Sequence, residues 1–198
     1  MTALLAICNG LNLINGALLA LGRWIGAACL GLMVVVILVQ VFFRYVLNSA
    51  LPWPEEASRF LMLWSTALMA PTAFRRGGFV AIDMVVRLLP RVVATGLSVF
   101  LMVVTILVLW TALGIGWSEV TGLGGRFETD SLRVPVTPDL SVWMKVPKSW
   151  MMASLLVGVF LLLLVAVELA LRNLHALIRG PEGLRDIPET VIIGSGAE

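Results

Sequence analysis

Long runs of apolar side chains divide the chain into four stretches that contain few or no charges. These runs predict helices that span a membrane over about residues 24–43, 54–74, 92–117 and 149–167. A helix rises about 1.5 Å per residue, so about 20 residues cross the roughly 30 Å hydrocarbon core of a bilayer. The pattern therefore predicts an all-α integral membrane protein with four transmembrane helices.

The second predicted span differs from the others because its uncharged part is short. The stretch from Phe60 to Phe74 would form a helix of only about 22 Å. We therefore expect Glu55, Glu56 and Arg59 at or just inside the membrane surface. Pro54 suits the first position of a helix, where a missing N–H costs nothing, and the two acids suit the positive end of the helix dipole.

The segment between the second and third spans predicts a short helix at the membrane surface. Residues 79–89 are too few to cross, and their large apolar side chains share one helical face. Asp83 and Arg87, four residues apart, share the other face. This pattern is typical of an amphipathic helix that lies in the interface.

The chain is expected to form a single four-helix membrane domain over residues 1–172. Residues 173–198 are polar and contain prolines and glycines, which predicts a mobile cytoplasmic tail. Residues 1–23 lack the basic start of a secretory signal peptide, so we expect them in the mature protein. The pattern leaves open whether they extend the first span or lie at the surface.

Composition supports a membrane environment and argues against several other classes of protein. The apolar fraction is 60% and the charged fraction 13%, against about 45–50% and about 25% in soluble domains. A net charge of +2 without a basic block argues against a nucleic-acid partner. Cys8 and Cys29 form no Cys-x-x-Cys motif, and His175 is the only histidine. We therefore expect no metal, no cofactor and no catalytic site.

The distribution of basic residues predicts which side of the membrane each end occupies. Four spans place both termini on one side, and the loop after the second span carries a compact basic cluster, which marks the cytoplasmic side. The residues of that cluster are Arg75, Arg76, Arg87 and Arg91. Both termini would then be cytoplasmic, and a belt of tryptophans would lie at the outer face. The belt would contain Trp53, Trp117, Trp143 and Trp150.

The charged side chains are expected near the ends of the spans, where Glu168 and Arg172 are spaced to form an i,i+4 pair. The deep polar residues Ser65, Thr66 and Thr105 can bond to their own helices. Proteins that carry ions or acids usually keep ionisable groups or broken helices at mid-membrane depth. The chain alone therefore looks poorly equipped to carry a polar solute, and a scaffold for another membrane protein is the better interpretation.

One charged group, at residues 53–59, has two interpretations. Arg59 is spaced to meet Glu55 at i,i+4 or Glu56 at i,i+3, which would make this segment a capped helix start with a self-paired arginine. Alternatively, the second carboxylate needs another partner, such as Arg44 or a different chain, and the group forms a charged contact at a subunit boundary.

The chain resembles a known family over roughly residues 24–90. The similar segments are Val41 to Asn48, Leu51 to Arg59, Arg75-Arg76-Gly77-Gly78 and Asp83. In order and spacing they resemble the small membrane subunit of tripartite ATP-independent periplasmic (TRAP) transporters, the DctQ-like family. Phe79 and Ala81 depart from the polar and basic residues often found there, so the details of the interfacial helix do not follow from the resemblance.

The resemblance implies a non-catalytic small permease subunit in the inner membrane of a bacterium. Its partners would be a large multi-span permease subunit, a periplasmic substrate-binding protein and membrane lipids. The complex would act as a sodium-coupled symport system that takes up an organic acid or a similar solute without ATP. The residues assigned to subunit or lipid contact are Arg44, Trp53, Glu55, Glu56, Arg59, Arg75, Arg76 and Asp83.

Two other functions were weighed against this one. A self-sufficient oligomeric four-span transporter or channel would need an embedded carboxylate that faces a pore, and only the shallow Glu55 and Glu56 are candidates. A membrane enzyme such as a thiol oxidoreductase is disfavoured by the absence of a cysteine pair and by the single histidine.

Overall fold

The computed structural model describes residues 2–76, 91–135 and 143–179. Within these ranges the chain forms long helices α1 (Thr2–Tyr45), α2 (Pro54–Arg75), α3 (Arg91–Thr121) and α4 (Lys148–Arg179). A short 3₁₀ turn (Gly124–Arg126) follows α3. Two antiparallel strands, β1 (Glu128–Pro135) and β2 (Trp143–Pro147), then form a hairpin that precedes α4.

Three helices of the described chain contain segments that are long and apolar enough to cross a membrane. These segments are Cys8–Tyr45, Val99–Thr121 and Lys148–His175. They confirm a mainly helical membrane protein. Helix α2 is not among them, although its 22 residues would reach about 33 Å. The predicted interfacial helix over residues 79–89 lies outside the described residues, as does Asp83.

Three boundaries differ from those expected from the sequence. Helix α1 passes Arg23 without a break, so the described part of residues 1–23 extends the first helix. Helix α4 continues to Arg179, beyond the expected start of the tail at residue 173. Residues 118–146, which separate the third and fourth predicted spans, contain the end of α3 and the hairpin. The all-α expectation is therefore corrected by one small β element.

Contacts between the helices show how they run. Gly16 lies near Arg75, whereas Gly26 lies near the backbone oxygen of Ser65, so α1 and α2 are antiparallel. The residue pairs from Trp64 with Trp150 to Arg75 with Glu168 ascend together along α2 and α4, which are therefore parallel. Helix α2 packs between α1 and α4, and α4 also packs on α3. We call the end of the bundle where α2 stops the Arg75 end, and the opposite end the hairpin end.

A glycine permits the close approach of α2 and α4. A Cβ atom on Gly158 would lie 3.0 Å from the Cα and Cβ atoms of Ala67. That separation is shorter than an ordinary van der Waals contact, so Gly158 is the residue that lets the two backbones meet.

Much of the outer surface of the bundle is apolar. Trp24 is 79% exposed and Trp110 67% exposed, and large apolar side chains along α1 and α3 are also exposed. An apolar surface of this extent is stable when lipid or another membrane protein covers it.

Candidate functional site

The most deeply buried charge of the described chain is Glu168 on α4, whose side chain is 0% exposed. Arg75, the last residue of α2, reaches it from the neighbouring helix. The Nη2 atom of Arg75 lies 2.6 Å from Oε1 of Glu168, and Nε donates to Oε2 at 3.1 Å. Two parallel bonds of this kind form the bidentate arginine–carboxylate pair, which is stronger and more directional than a single contact.

Two asparagines of α1 complete the hydrogen bonding of this ion pair. Asn15 donates from Nδ2 to Oε2 of Glu168 at 2.7 Å. Arg75 donates from Nη2 to Oδ1 of Asn12 at 2.9 Å and to its backbone oxygen at 3.1 Å. Asn12 and Asn15 are three residues apart and therefore share one face of α1. The resulting cluster, which we call the α1–α2–α4 lock, consists of Asn12, Asn15, Arg75 and Glu168.

Burial makes the geometry of the lock energetically important. The attraction between two buried ions offsets the free energy lost on their dehydration only when their geometry is good and other hydrogen bonds satisfy their remaining polar atoms. The asparagines supply those bonds from within the chain. Loss of one partner would leave an uncompensated buried charge. The lock therefore favours the single arrangement of the three helices in which all four side chains meet.

The lock contains a contact that the sequence does not predict. Glu168 lies near the end of the apolar segment Lys148–His175 and forms an ion pair with Arg75 of α2. The pair that spacing predicts between Glu168 and Arg172 along α4 stays a prediction. Arg75 is itself only 6% exposed, so its role is internal to this chain and not a surface contact.

A signal for the lock was present in the sequence. Asn9, Asn12 and Asn15 repeat every third residue in an otherwise apolar helix, and an acid follows the apolar run of α4.

Asn9 and His175 each have a buried polar atom without a hydrogen-bond partner in the described chain. No group of three or more His, Cys, Asp or Glu side chains suited to a metal occurs among the described residues.

A second polar site joins the start of α2 to the hairpin. Oε2 of Glu56 accepts hydrogen bonds from the backbone N–H of Ser131 at 2.8 Å, the Ser131 hydroxyl at 2.7 Å and the backbone N–H of Leu132 at 2.8 Å. Oε1 accepts one from the backbone N–H of Asp130 at 3.1 Å. One carboxylate therefore binds three successive amides of β1.

The hydrogen bonds to Glu56 determine its charge state. Burial alone would raise the pKa of this carboxyl, but the bonds from Ser131, Leu132 and Asp130 outweigh burial and lower the pKa to about 2. Glu56 lies outside the three apolar segments that can cross the membrane. It is therefore ionised throughout the neutral range and holds the hairpin as a charged acceptor.

The structure distinguishes the two acids at the start of α2. Glu55 forms an ion pair with Arg59, and both side chains are mostly exposed. Glu56 is satisfied by the hairpin, which the sequence did not predict, because hydrogen bonds to backbone amides leave no pattern of side chains. The self-pairing of Arg59 with Glu55 is therefore present in the structure, and a contact of these residues with another subunit stays a prediction.

The remaining predicted contact residues lie at the surface in different places. Arg44 is exposed, and its guanidinium carbon is 5.8 Å from the centre of the Tyr45 ring. Trp53 is 38% exposed at the hairpin end, and Arg76 is half-buried at the Arg75 end. Arg44, Trp53, Glu55 and Arg59 are thus accessible to a partner, whereas Arg75 and Glu56 are used within the chain.

Comparison with known proteins identifies the family. Residues 33–176 match the family described as tripartite ATP-independent periplasmic transporters, DctQ component. The match covers the last part of α1, all of α2, α3 and the hairpin, and most of α4, and it contains the lock residues Arg75 and Glu168. No match was found among curated proteins or solved structures. The chain belongs to the DctQ family of membrane components of tripartite ATP-independent periplasmic transporters.

Proposed function

We propose that this chain is the non-catalytic small subunit that braces the large permease subunit of a TRAP transporter in a bacterial inner membrane. The complex takes up an organic acid or a similar solute, driven by a sodium gradient and supplied by a periplasmic binding protein. The large subunit holds the solute and sodium sites. In this arrangement α2 is the fourth membrane crossing, its first turn with Glu56 lies outside the hydrocarbon core at the membrane surface, and both termini are cytoplasmic.

The observation that carries the proposal is the closed hydrogen bonding of the lock. A transport site needs ionisable or polar groups that are free to exchange a solute. Both oxygens of Glu168 are bonded to groups of this chain, and Arg75 is bonded to Glu168 and Asn12. Glu168, the most buried charge in the described chain, therefore stabilises the protein itself. Solute binding is left to a companion subunit.

The packing of the helices supports a bracing role. The lock fastens α1, α2 and α4 to each other, and the backbones of α2 and α4 meet at Gly158. A unit tied together in this way resists deformation when a partner moves. Its exposed apolar faces on α1 and α3 offer a large surface for contact with that partner.

The antiparallel arrangement supports four crossings. Helix α2 runs opposite to α1 and alongside α4, and both of those helices contain membrane-crossing segments. The part of α2 from Trp64 to Arg75 lies between these two spans, so we expect the helix to cross the membrane with them. Its lower hydropathy is tolerated because α1 and α4 cover Ser65 and Thr72, which are buried.

Reconstitution of the components tests the proposed function. Liposomes that contain this chain, the large subunit and the binding protein should accumulate solute when an inward sodium gradient is applied. Omission of this chain should abolish or strongly reduce uptake, and liposomes that contain this chain alone should transport nothing. Flux through the chain alone would refute the proposal and favour the self-sufficient transporter or channel.

A further inference from the structure

A recess at the hairpin end has no assigned function. It lies between the segment that precedes α2 and the first strand of the hairpin, and its lining residues are Trp53, Ser131, Leu132 and Arg133. The hydrogen bonds that Glu56 accepts from Ser131 and Leu132 fix β1 against α2. The strand that forms one wall of the recess is therefore held in place.

Arg133 lines the recess, and a second cation, Lys145, lies beside it without being one of the lining residues. Arg133 on β1 lies directly opposite Lys145 on β2 in the hairpin register. Side chains of such a pair emerge on the same face, and like charges in this position destabilise a hairpin. Lys145 lies 3.8 Å from Glu128, whereas no acid of the described residues is within ion-pair distance of Arg133. An anion bound at Arg133 would relieve this repulsion.

The depth of the recess matches the headgroup region of a bilayer. Trp53, Trp117 and Trp150 are all at the hairpin end, and each is substantially exposed. Exposed tryptophans at the ends of membrane helices mark the level of the lipid headgroups. The recess therefore lies where phospholipid phosphates lie, with an apolar wall of Trp53 and Leu132 beside a cationic rim.

We propose that this recess binds the phosphate of a phospholipid, with Arg133 and Lys145 as its cationic ligands. Trp53 and Leu132 contact the glycerol and the first acyl carbons. A carboxylate from a partner protein would also suit the two cations, but the apolar wall at headgroup depth favours a lipid. The proposal does not depend on the function proposed above, because it concerns this chain alone.

Native mass spectrometry of the full chain in detergent tests the proposal. Titration with dioctanoyl phosphatidylglycerol should give a bound lipid, and Arg133→Gln or Lys145→Gln should weaken its affinity by about tenfold, as expected for a charged hydrogen bond. Dioctanoylglycerol has the same tails without the phosphate, so it should bind no better to the wild type than to these variants. Arg133→Lys should keep most of the affinity.

Arg126→Gln is the matched control, since Arg126 is an exposed cation at the same end outside the recess. Its affinity for phosphatidylglycerol should equal that of the wild type. Equal affinities of the wild type and Arg133→Gln, or an equal loss in Arg126→Gln, would overturn the proposal. So would unchanged lipid binding by Arg133→Gln together with release of a partner protein, because the recess would then be a protein contact.

Discussion

At the scale of single residues, Glu168 shows how a charge can be stable inside a membrane protein. Its two oxygens accept hydrogen bonds from side chains of two other helices, so the carboxylate is paired and inaccessible to solute. Removal of one partner from such a buried pair costs about 3–5 kcal/mol, whereas replacement of both by apolar groups is often neutral. The two kinds of change should therefore have different effects here.

Arg75→Ala or Glu168→Ala should each lower the free energy of unfolding by about 3–5 kcal/mol. The double variant Arg75→Met with Glu168→Leu should recover most of that loss, since no unpaired charge remains. Thermal unfolding in detergent measures the effect, with Arg126→Ala as an exposed control that should leave Tm unchanged. A double variant as unstable as the sum of the single ones would argue against the lock.

Glu56→Gln should loosen the hairpin. The amide presents one acceptor oxygen to four donors and adds N–H groups that repel them, so we expect a loss of about 1–3 kcal/mol. Hydrogen exchange of the backbone amides in β1 should become faster. Glu55→Gln is the control, because Glu55 makes only an exposed ion pair. Equal exchange rates in the two variants would show that Glu56 does not hold the strand.

The sign of the pH dependence follows from the lowered pKa of Glu56. Its contribution to stability is fully present above the ordinary value of 4.5 and is lost as pH falls toward about 2. Attachment of the hairpin should therefore not change between pH 6 and 8.

The sequence identifies the partners of some charged residues and not of others. The Glu55–Arg59 pair follows from spacing along one helix. The partner of Glu168 is 93 residues away in sequence, and only the packing of α2 against α4 brings the two together. The partners of Glu56 are mainly backbone amides, which every sequence contains.

At the scale of elements, the helices could be predicted because apolar runs and their length determine them. The continuity of α1 does not follow from the pattern, because an arginine such as Arg23 can either mark the end of a span or lie along a longer helix. The hairpin could not be predicted either, since its short strands are stabilised by contacts with the start of α2 and by Thr129, whose hydroxyl donates to the backbone oxygen of Val146.

For an alanine at position 158, helix packing and helix propensity predict opposite effects on stability. Gly158→Ala should destabilise the protein by about 1–3 kcal/mol, because the added Cβ would press on the backbone of Ala67. Gly31→Ala is the control, since a Cβ there meets nothing within 4 Å and alanine favours the helix by about 1 kcal/mol. Thermal unfolding of both variants checks this, and a stabilised Gly158→Ala would contradict the close contact.

At the scale of the whole molecule, the antiparallel bundle places its two ends on opposite sides of the membrane. The direction proposed here has the hairpin end outside and the Arg75 end in the cytoplasm. It follows from the basic residues near the Arg75 end, and it stays a prediction.

Cysteine labelling tests this direction. In a variant whose own cysteines are replaced by serine, Arg126→Cys should react with a membrane-impermeant maleimide in spheroplasts. Asn173→Cys, at an exposed position near the other end of α4, should react only after lysis. The reverse pattern would invert the topology and place the phosphate recess in the cytoplasmic leaflet.

The lock also constrains how the protein is made. Its members come from α1, α2 and α4, so Arg75 leaves the ribosome long before Glu168 is synthesised. Until then the arginine has no carboxylate partner and must stay near water or lipid phosphates, which holds the end of α2 at the membrane surface. A nascent chain truncated before α4 would keep that unpaired cation, and membrane proteases could recognise it as unfinished.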